Sequence, residues 1–395
     1  MKRFLALTSV LLALVLGLGW SSGTIAQEPP KEIVIGATLA QTGPLYRIVE
    51  PFKKLGDTWA AMVNEQGGIM LKKYNRKVPV RFVVYDDKSD PPTSQKFYER
   101  LAAVDQVHFF MGPFSSFVTN AAAIVAGKEK IPMLLVCAND QTIFDKPNEW
   151  RVTQLAPPEL EYKRVIDLYA KKGGLKTFAV VARDNLHERG SAAGAAAELR
   201  KAGVKVVYEQ LVPPDTKDFS SIIARIKQEN PDGVLFEGIS PPFTIAFLKQ
   251  AKELGLRPKE LVVGHAPRPV IAGIGPDANN LTSVSYYFAG DTPDHKEYLE
   301  LLKRTGFKWH EYPESAIRFW TYKTIKATLE KAGSLDRAAI RQAMWEVDLK
   351  IFGERMVHDK LGYGTLYPYP IQVQDGEVVS LWPLDKGAKL HRHRH

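Results

Sequence analysis

The sequence predicts an α/β protein of two similar lobes, each a mostly parallel sheet covered by helices on both faces. Three observations predict it. Short aliphatic runs alternate with segments of helical apolar spacing along nearly the whole chain. The alternation pauses at Ala156-Pro157-Pro158 and then begins again. The composition, 45% hydrophobic and 25% charged over 395 residues, is that of an ordinary globular protein long enough for two or three domains.

Ile33-Val34-Ile35-Gly36-Ala37 reads as a buried strand, followed by the turn Thr42-Gly43-Pro44. A helix is predicted from Phe52 to Glu65, because Leu55, Trp59, Met62 and Val63 fall on one face and Gly67-Gly68 ends it. Val78 to Tyr85 is a second strand. Pro91 opens a second helix, with Phe97, Leu101 and Val104 on one side. Val107 to Met111 is a third strand, broken by Gly112-Pro113; Ser116 caps a helix through Ala126; Pro132 to Val136 is a fourth strand. Past the pause, helices over Leu160 to Ala170, Ala192 to Ala202, Phe219 to Glu229 and Pro242 to Leu254 alternate with further strands. These run over Thr177 to Ala182, Val204 to Leu211, Gly233 to Glu237 and Leu261 to Gly264. In open sheets of this kind ligands bind beyond the carboxyl ends of the strands, so two facing lobes make a cleft.

Residues 1–26 read as a cleaved export signal. Lys2 and Arg3 precede an uncharged stretch from Phe4 to Ile25, whose aliphatic core, Val10 to Leu18, is short for a bilayer span. Thr24-Ile25-Ala26 places small residues three and one before the cut, and no cysteine follows to carry a lipid anchor. Losing Lys2 and Arg3 lowers the formal charge from +9 to +7. The remaining basic residues alternate with acids and form no aromatic-interleaved stripe, which argues against nucleic acid. His391–His395 ends a solvated tail over residues 386–395. The lone cysteine, Cys137, excludes an internal disulfide and a thiolate metal cluster and reads as a core thiol.

Several short motifs recur in a telling order. They are Ile35-Gly36-Ala37 with Thr42-Gly43-Pro44, Val63-Asn64-Glu65-Gln66-Gly67-Gly68-Ile69, Tyr85-Asp86-Asp87 with Asp90-Pro91, and Met111-Gly112-Pro113-Phe114-Ser115-Ser116. Asp218-Phe219-Ser220, Ile226–Val234 and Gly255-Leu256 continue the series. Over roughly residues 31 to 350 the chain resembles the solute-binding proteins of ABC transporters, of the branched-chain amino acid and amide type. The resemblance implies a type I periplasmic-binding-protein fold, two α/β lobes joined by a three-strand hinge that closes on ligand. It places the crossings near Arg151–Thr153, Ser283–Tyr287 and Asp348–Gly353. Lobe 1 is then residues 27–152 with 284–347, including a helix from Pro313 to Ala332 whose Phe319, Trp320 and Tyr322 are core. Lobe 2 is 153–283 with 348–385. A periplasmic monomer is implied, with membrane permease subunits as partners and without a cofactor or metal.

By the same resemblance Ser116, with Ser115 and the electropositive start of its helix, holds a ligand carboxylate; a plain helix cap is the alternative. Ala138, Asn139 and Asp140 follow the next strand and supply further contacts. Asn139 and Asp140 depart from the small or hydroxyl residues usual there, so Asp140 points away or pairs with a cation. His187 takes a tyrosine's place in the loop Asp184–Gly190, either as a hydrogen-bond donor or as an exposed histidine. Ile239 replaces an aromatic wall residue, and Tyr46 stands where an aromatic lid covers the ligand. Ala266 stands where amino-acid-binding members carry the acid that pairs with the α-ammonium. A buried ammonium without a partner is costly, so a standard α-amino acid is not expected unless Asp140 or Glu237 supplies the charge. Arg268 is either a bidentate grip on a second anionic or carbonyl group or a surface arginine.

The expected function is capture of a small carboxylate or amide ligand for an ABC permease. The alternatives are branched-chain amino acid binding with a non-standard amine site, and a ligand-binding sensor subunit of the same fold. An enzyme is not expected. No Gly-x-Ser-x-Gly, His-Glu-x-x-His or Walker pattern occurs, and Gly273–Ala278 mimics a dinucleotide loop only faintly, with Pro276 in it and no strand before it.

Overall fold

A computed structural model describes residues 28, 30–172, 174–265, 268–312, 314–385, 387 and 389–391. The expected export signal, Ala266 and the last four residues of the tail lie outside these. In the first sheet β1 (Ile33–Leu39) pairs in parallel with β2 (Val80–Asp86) on one side and β3 (Phe109–Met111) on the other. The sheet continues through β4 (Met133–Leu135) to β5 (Arg151–Thr153). Successive β1 residues are buried on opposite faces. Ile33, Ile35, Ala37 and Leu39 join Leu55, Trp59 and Trp320, while Val34 joins Leu101, Phe110 and Ala126. Helices cover both faces, which is why the strand is apolar throughout rather than alternating.

The second sheet repeats the plan. β6 (Thr177–Arg183) lies between β7 (Lys205–Val212) and β8 (Gly233–Glu237), and β9 (Glu260–Val263) and β10 (Thr282–Ser285) follow, all parallel. Two strands that the aliphatic runs do not announce, β11 (Tyr369–Gln374) and β12 (Glu377–Ser380), extend the β10 edge antiparallel. In each sheet the chain leaves one central strand leftward and its neighbour rightward. The reversal falls between β1 and β3 in one lobe and between β6 and β8 in the other, and ligands gather at such points.

Three local features differ from expectation. The alanine-rich helix runs Leu186–Lys201, starting before Ala192, because the Asn185 side chain accepts from the Leu186 N–H at 2.9 Å and caps it. His187 and Glu188 therefore sit in a first helical turn, not in a loop. Asp348–Ile351 is not a crossing strand but pairs with Glu354–Val357. Phe352 and Gly353 take φ of 54° and 87° at its two-residue turn, and Ile351, Phe352 and Met356 are buried with Tyr298, Phe319 and Trp320. The segment that crosses is residues 362–366, which runs beside Thr153–Ala156: Thr153 N–H donates to the Gly362 carbonyl at 2.8 Å and Leu366 N–H to Gln154 at 3.1 Å. Finally, the tail is not wholly free. Gln372 donates to the His391 carbonyl at 2.7 Å and accepts from its N–H at 2.9 Å.

No helix among the described residues is long and apolar enough to cross a membrane. Cys137 packs against the core, and burial pushes its thiol up to about 12.

One pH dependence follows from the fold. His358 follows the 354–357 strand, its two ring nitrogens are sealed from solvent, and burial, only partly offset by the Met344 backbone and Asp359, lowers its pKa to about 4. The unfolded ring takes a proton below about 6.5 and the folded ring does not. The contribution of this ring to stability is therefore full above that value and falls as pH drops toward 4, by up to about 3 kcal/mol. Denaturant melts at pH 7 and 4.5 check this, and His358→Gln is expected to flatten the slope. A His358 ring that titrates near 6.5 by NMR removes the idea.

Candidate functional site

The carboxyl ends of the two switch points face each other and enclose a cavity of about 290 Å³. Pro44 and Leu45 after β1, and Ser115, Ser116 and Phe117 after β3, form one wall. Arg183, Asn185, His187 and Glu188 after β6, with Ile239 and Ser240 after β8, form the other.

Ser116 opens the helix Ser116–Glu129 and is 2% exposed. Its Oγ accepts from the backbone N–H groups of Asn139 and Asp140, each at 3.2 Å. Both acceptor positions are thereby taken, and its own O–H remains to donate into the cavity. Ser115 holds φ at 73°, a conformation that costs a non-glycine residue about 1–3 kcal/mol. The helix start adds positive character at the same spot. The arrangement suits an anion.

Arg183 and Glu188 face each other across the second wall, Nη1 to Oε1 at 3.9 Å. Glu188 is 1% exposed, so the guanidinium supplies its counter-charge. Behind this wall lies a buried polar layer where the lobes meet. His265 Nε2 stands 3.1 Å from Glu161 and its Nδ1 stands 3.0 Å from Glu314. Burial works against a charged imidazole, but the two carboxylates outweigh it and hold the His265 pKa well above the ordinary value. Burial likewise works against the Glu161 carboxylate, and its hydrogen bond and charge pairing with His265 bring it below the usual range. Tyr286 donates to Glu161 at 3.1 Å. Glu237, at the end of β8, has no such partner, and burial pushes it up to about 8. Its carboxylate lies where a side chain on residue 264 would go: a Cβ on Gly264 would meet Glu237 Oε2 at 1.9 Å.

The expected site residues divide in two. Ser115, Ser116, His187 and Ile239 line the cavity, and Asn139 reaches its edge, its Oδ1 accepting from His187 Nδ1 at 3.0 Å. Ala266 lies outside the described residues, and the others lie elsewhere. Ala138 is buried in the first lobe's core. Asp140 caps the short helix Gln141–Phe144, accepting from Thr142 N–H at 2.9 Å, and so turns away from the cavity. Tyr46 is 37% exposed and borders a separate surface depression with Lys53 and Asp57, so Pro44 and Leu45 stand at the cavity instead. Arg268 is an exposed arginine 3.5 Å from Glu311. The guanidinium at the cavity is that of Arg183, which sequence reasoning missed along with Glu188, Glu161 and Glu314. Arg183 had a usable signal, since it stands immediately past a predicted strand.

A model of the periplasmic binding protein family matches residues 32–359. The Leu/Ile/Val-binding protein homolog 7 of Brucella suis is 26% identical over 377 aligned residues, covering 86% of this chain and 90% of its own. Among solved structures, the leucine-binding protein LivK of Thermotoga maritima is similar with a TM-score of 0.75 at 19% identity, over 88% of this chain and 97% of its own. A solute-binding protein of an R. palustris ABC transporter, in complex with 4-hydroxybenzoate, gives 0.75 at 22% identity, over 88% and 95%.

Proposed function

Because the chain belongs to the periplasmic binding protein family, whose members are extracytoplasmic solute-binding proteins of transporters rather than enzymes, we propose that it captures a small organic acid or amide between its lobes for delivery to an ABC permease, and that a standard α-amino acid is not its ligand. The observation that carries this reading is the charge balance of the cavity. Ser115, Ser116 and the helix start offer donors to a carboxylate, and Pro44, Leu45, Phe117 and Ile239 offer an apolar wall. Among the described lining residues the acid is Glu188, which already faces Arg183. An α-ammonium would have to compete with that arginine or go unpaired, and an unpaired buried charge is strongly unfavourable. The bound 4-hydroxybenzoate of the R. palustris protein supports the acid half of the reading.

Calorimetry with benzoate, 4-hydroxybenzoate and the 2-oxo acid of leucine, beside leucine and isoleucine themselves, tests it. Binding of acids and not of the amino acids is expected. Tight leucine binding with no response to the acids sinks the proposal. Ser116→Ala is expected to weaken acid binding by about 1–2 kcal/mol. The same change strips the Asn139 and Asp140 N–H groups of their acceptor, so the melting temperature falls as well. Affinity unchanged by the substitution removes Ser116 from the site.

A further inference from the structure

We propose that Glu161, His187 and His265 form a binding site for a divalent transition-metal ion of the zinc class, set where the two lobes meet. One ligating atom from each of the three lies within 4.8 Å of the other two, and all three residues are buried. The hydrogen-bond network fixes which atoms are free. Asn139 Nδ2 donates to the Ala156 carbonyl at 2.6 Å, so Oδ1 is the atom that meets His187 Nδ1 at 3.0 Å. An amide oxygen only accepts, so Nδ1 carries the hydrogen and Nε2 of the neutral ring carries a lone pair. That Nε2 is buried and has no partner.

His265 repeats the pattern only in part. Both of its nitrogens face carboxylates, Nδ1 at 3.0 Å from Glu314 and Nε2 at 3.1 Å from Glu161 Oε1, so an ion would displace the Nε2 proton and sit between that nitrogen and Glu161. Two ligands each about 2.0–2.2 Å from one tetrahedral ion stand about 3–3.5 Å apart; the His265–Glu161 pair is at 3.1 Å, and His187 lies within 4.8 Å of both. Each donor also has an outer partner that orients it: Asn139 for His187, Glu314 for His265, and Tyr286 for Glu161. Outer partners of this kind are what hold histidine and carboxylate ligands in metal sites. His265 is kept in place by a backbone φ of 37°, in the left-handed region. Two imidazoles and one carboxylate suit zinc, and a dication matches the combined charge of Glu161 and Glu314.

The test uses the full chain with His391, His393 and His395 replaced by alanine, so that the terminal histidines take no metal. The protein is stripped with EDTA and titrated with zinc chloride, then with cobalt(II) as a spectroscopic probe. One zinc per chain is expected, with visible cobalt bands of a four-coordinate nitrogen–oxygen site. His187→Gln is expected to abolish the cobalt bands and weaken zinc at least about 100-fold, and Asn139→Ala to weaken it about 10–100-fold. Circular dichroism of the metal-free variants establishes that they are folded. Absence of stoichiometric zinc, or an affinity that His187→Gln leaves unchanged, overturns the site and leaves His265 as a protonated bridge between two carboxylates. The titration contains no organic acid, so its outcome is independent of the ligand reading above.

Discussion

Phe236→Ala is expected to destabilise the second lobe by about 3–5 kcal/mol. Phe236 is fully buried in β8, the strand held between β6 and β9. Its ring stacks on Phe247 with centroids 3.7 Å apart, lies 5.6 Å from Phe243, and meets Phe219 edge-on at 5.8 Å. The side chains come from a strand, from one helix (Phe243 and Phe247) and from the residue that precedes another (Phe219), so truncation leaves a hole that no single element can fill by shifting. Aromatic pairing adds about 0.5–1.5 kcal/mol per contact beyond area. The consequence reaches the cavity, because Glu237 and Ile239 follow in the same segment. Urea unfolding with an unchanged slope checks the magnitude. Val104→Ala, at a position 64% exposed, is the control and is expected to stay within about 0.5 kcal/mol. A loss below about 1 kcal/mol for Phe236→Ala would show that the other three rings close over the gap.

Most of the layered fold was readable because the central strands of these sheets are buried on both faces. Such strands appear as short aliphatic runs bounded by Gly and Pro, as in Ile33–Ala37 before Gly43-Pro44. β11 escaped because it carries Pro370 and two glutamines, and it takes an antiparallel place beside β10 where strand propensity counts for less. The 348–357 hairpin escaped because its turn puts Phe352 at positive φ, a position where bulky residues are rare. At the site, Ser115, Ser116 and Ile239 were legible because they lie a few residues past strand ends, where the family resemblance places ligand contacts. Glu161, His265 and Glu314 were not, because they are far apart in sequence and meet only once the lobes face each other. Glu188 was hidden by the helix start: read as loop, its burial could not be foreseen. Arg268 and Asp140 take, of the two readings open to each, the one that keeps them from the cavity, since a charged residue near a strand end is equally able to serve a surface pair or a helix cap.

Glu314→Ala is expected to open the cleft more than it unfolds the protein. Glu314 precedes the helix Ser315–Ala332, whose Ala316, Phe319 and Trp320 are packed with Trp59 and Leu55 in the first lobe. His265 follows β9 in the second lobe, so their 3.0 Å contact ties one lobe to the other. The contact is a buried ion pair, and removing one partner of such a pair is strongly destabilising because the other charge stays buried. Removing the carboxylate while the lobes stay shut leaves His265 Nδ1 dry and unpaired, whereas opening lets water reach it. The cost therefore falls on the closed state, and a loss of about 2 kcal/mol shifts the open-to-closed ratio about 30-fold. Ligand affinity falls with the closed fraction it depends on. Small-angle scattering in EDTA, without ligand, is expected to show a larger radius of gyration for Glu314→Ala than for the parent, with Glu314→Gln in between because its amide oxygen still accepts. The competing role, a carboxylate that only steadies the start of its own helix, lowers the melting temperature and leaves radius and affinity alone. That outcome would detach Glu314 from closure and leave the His187–Asn139 hydrogen bond as the polar tie between the lobes beside the cavity.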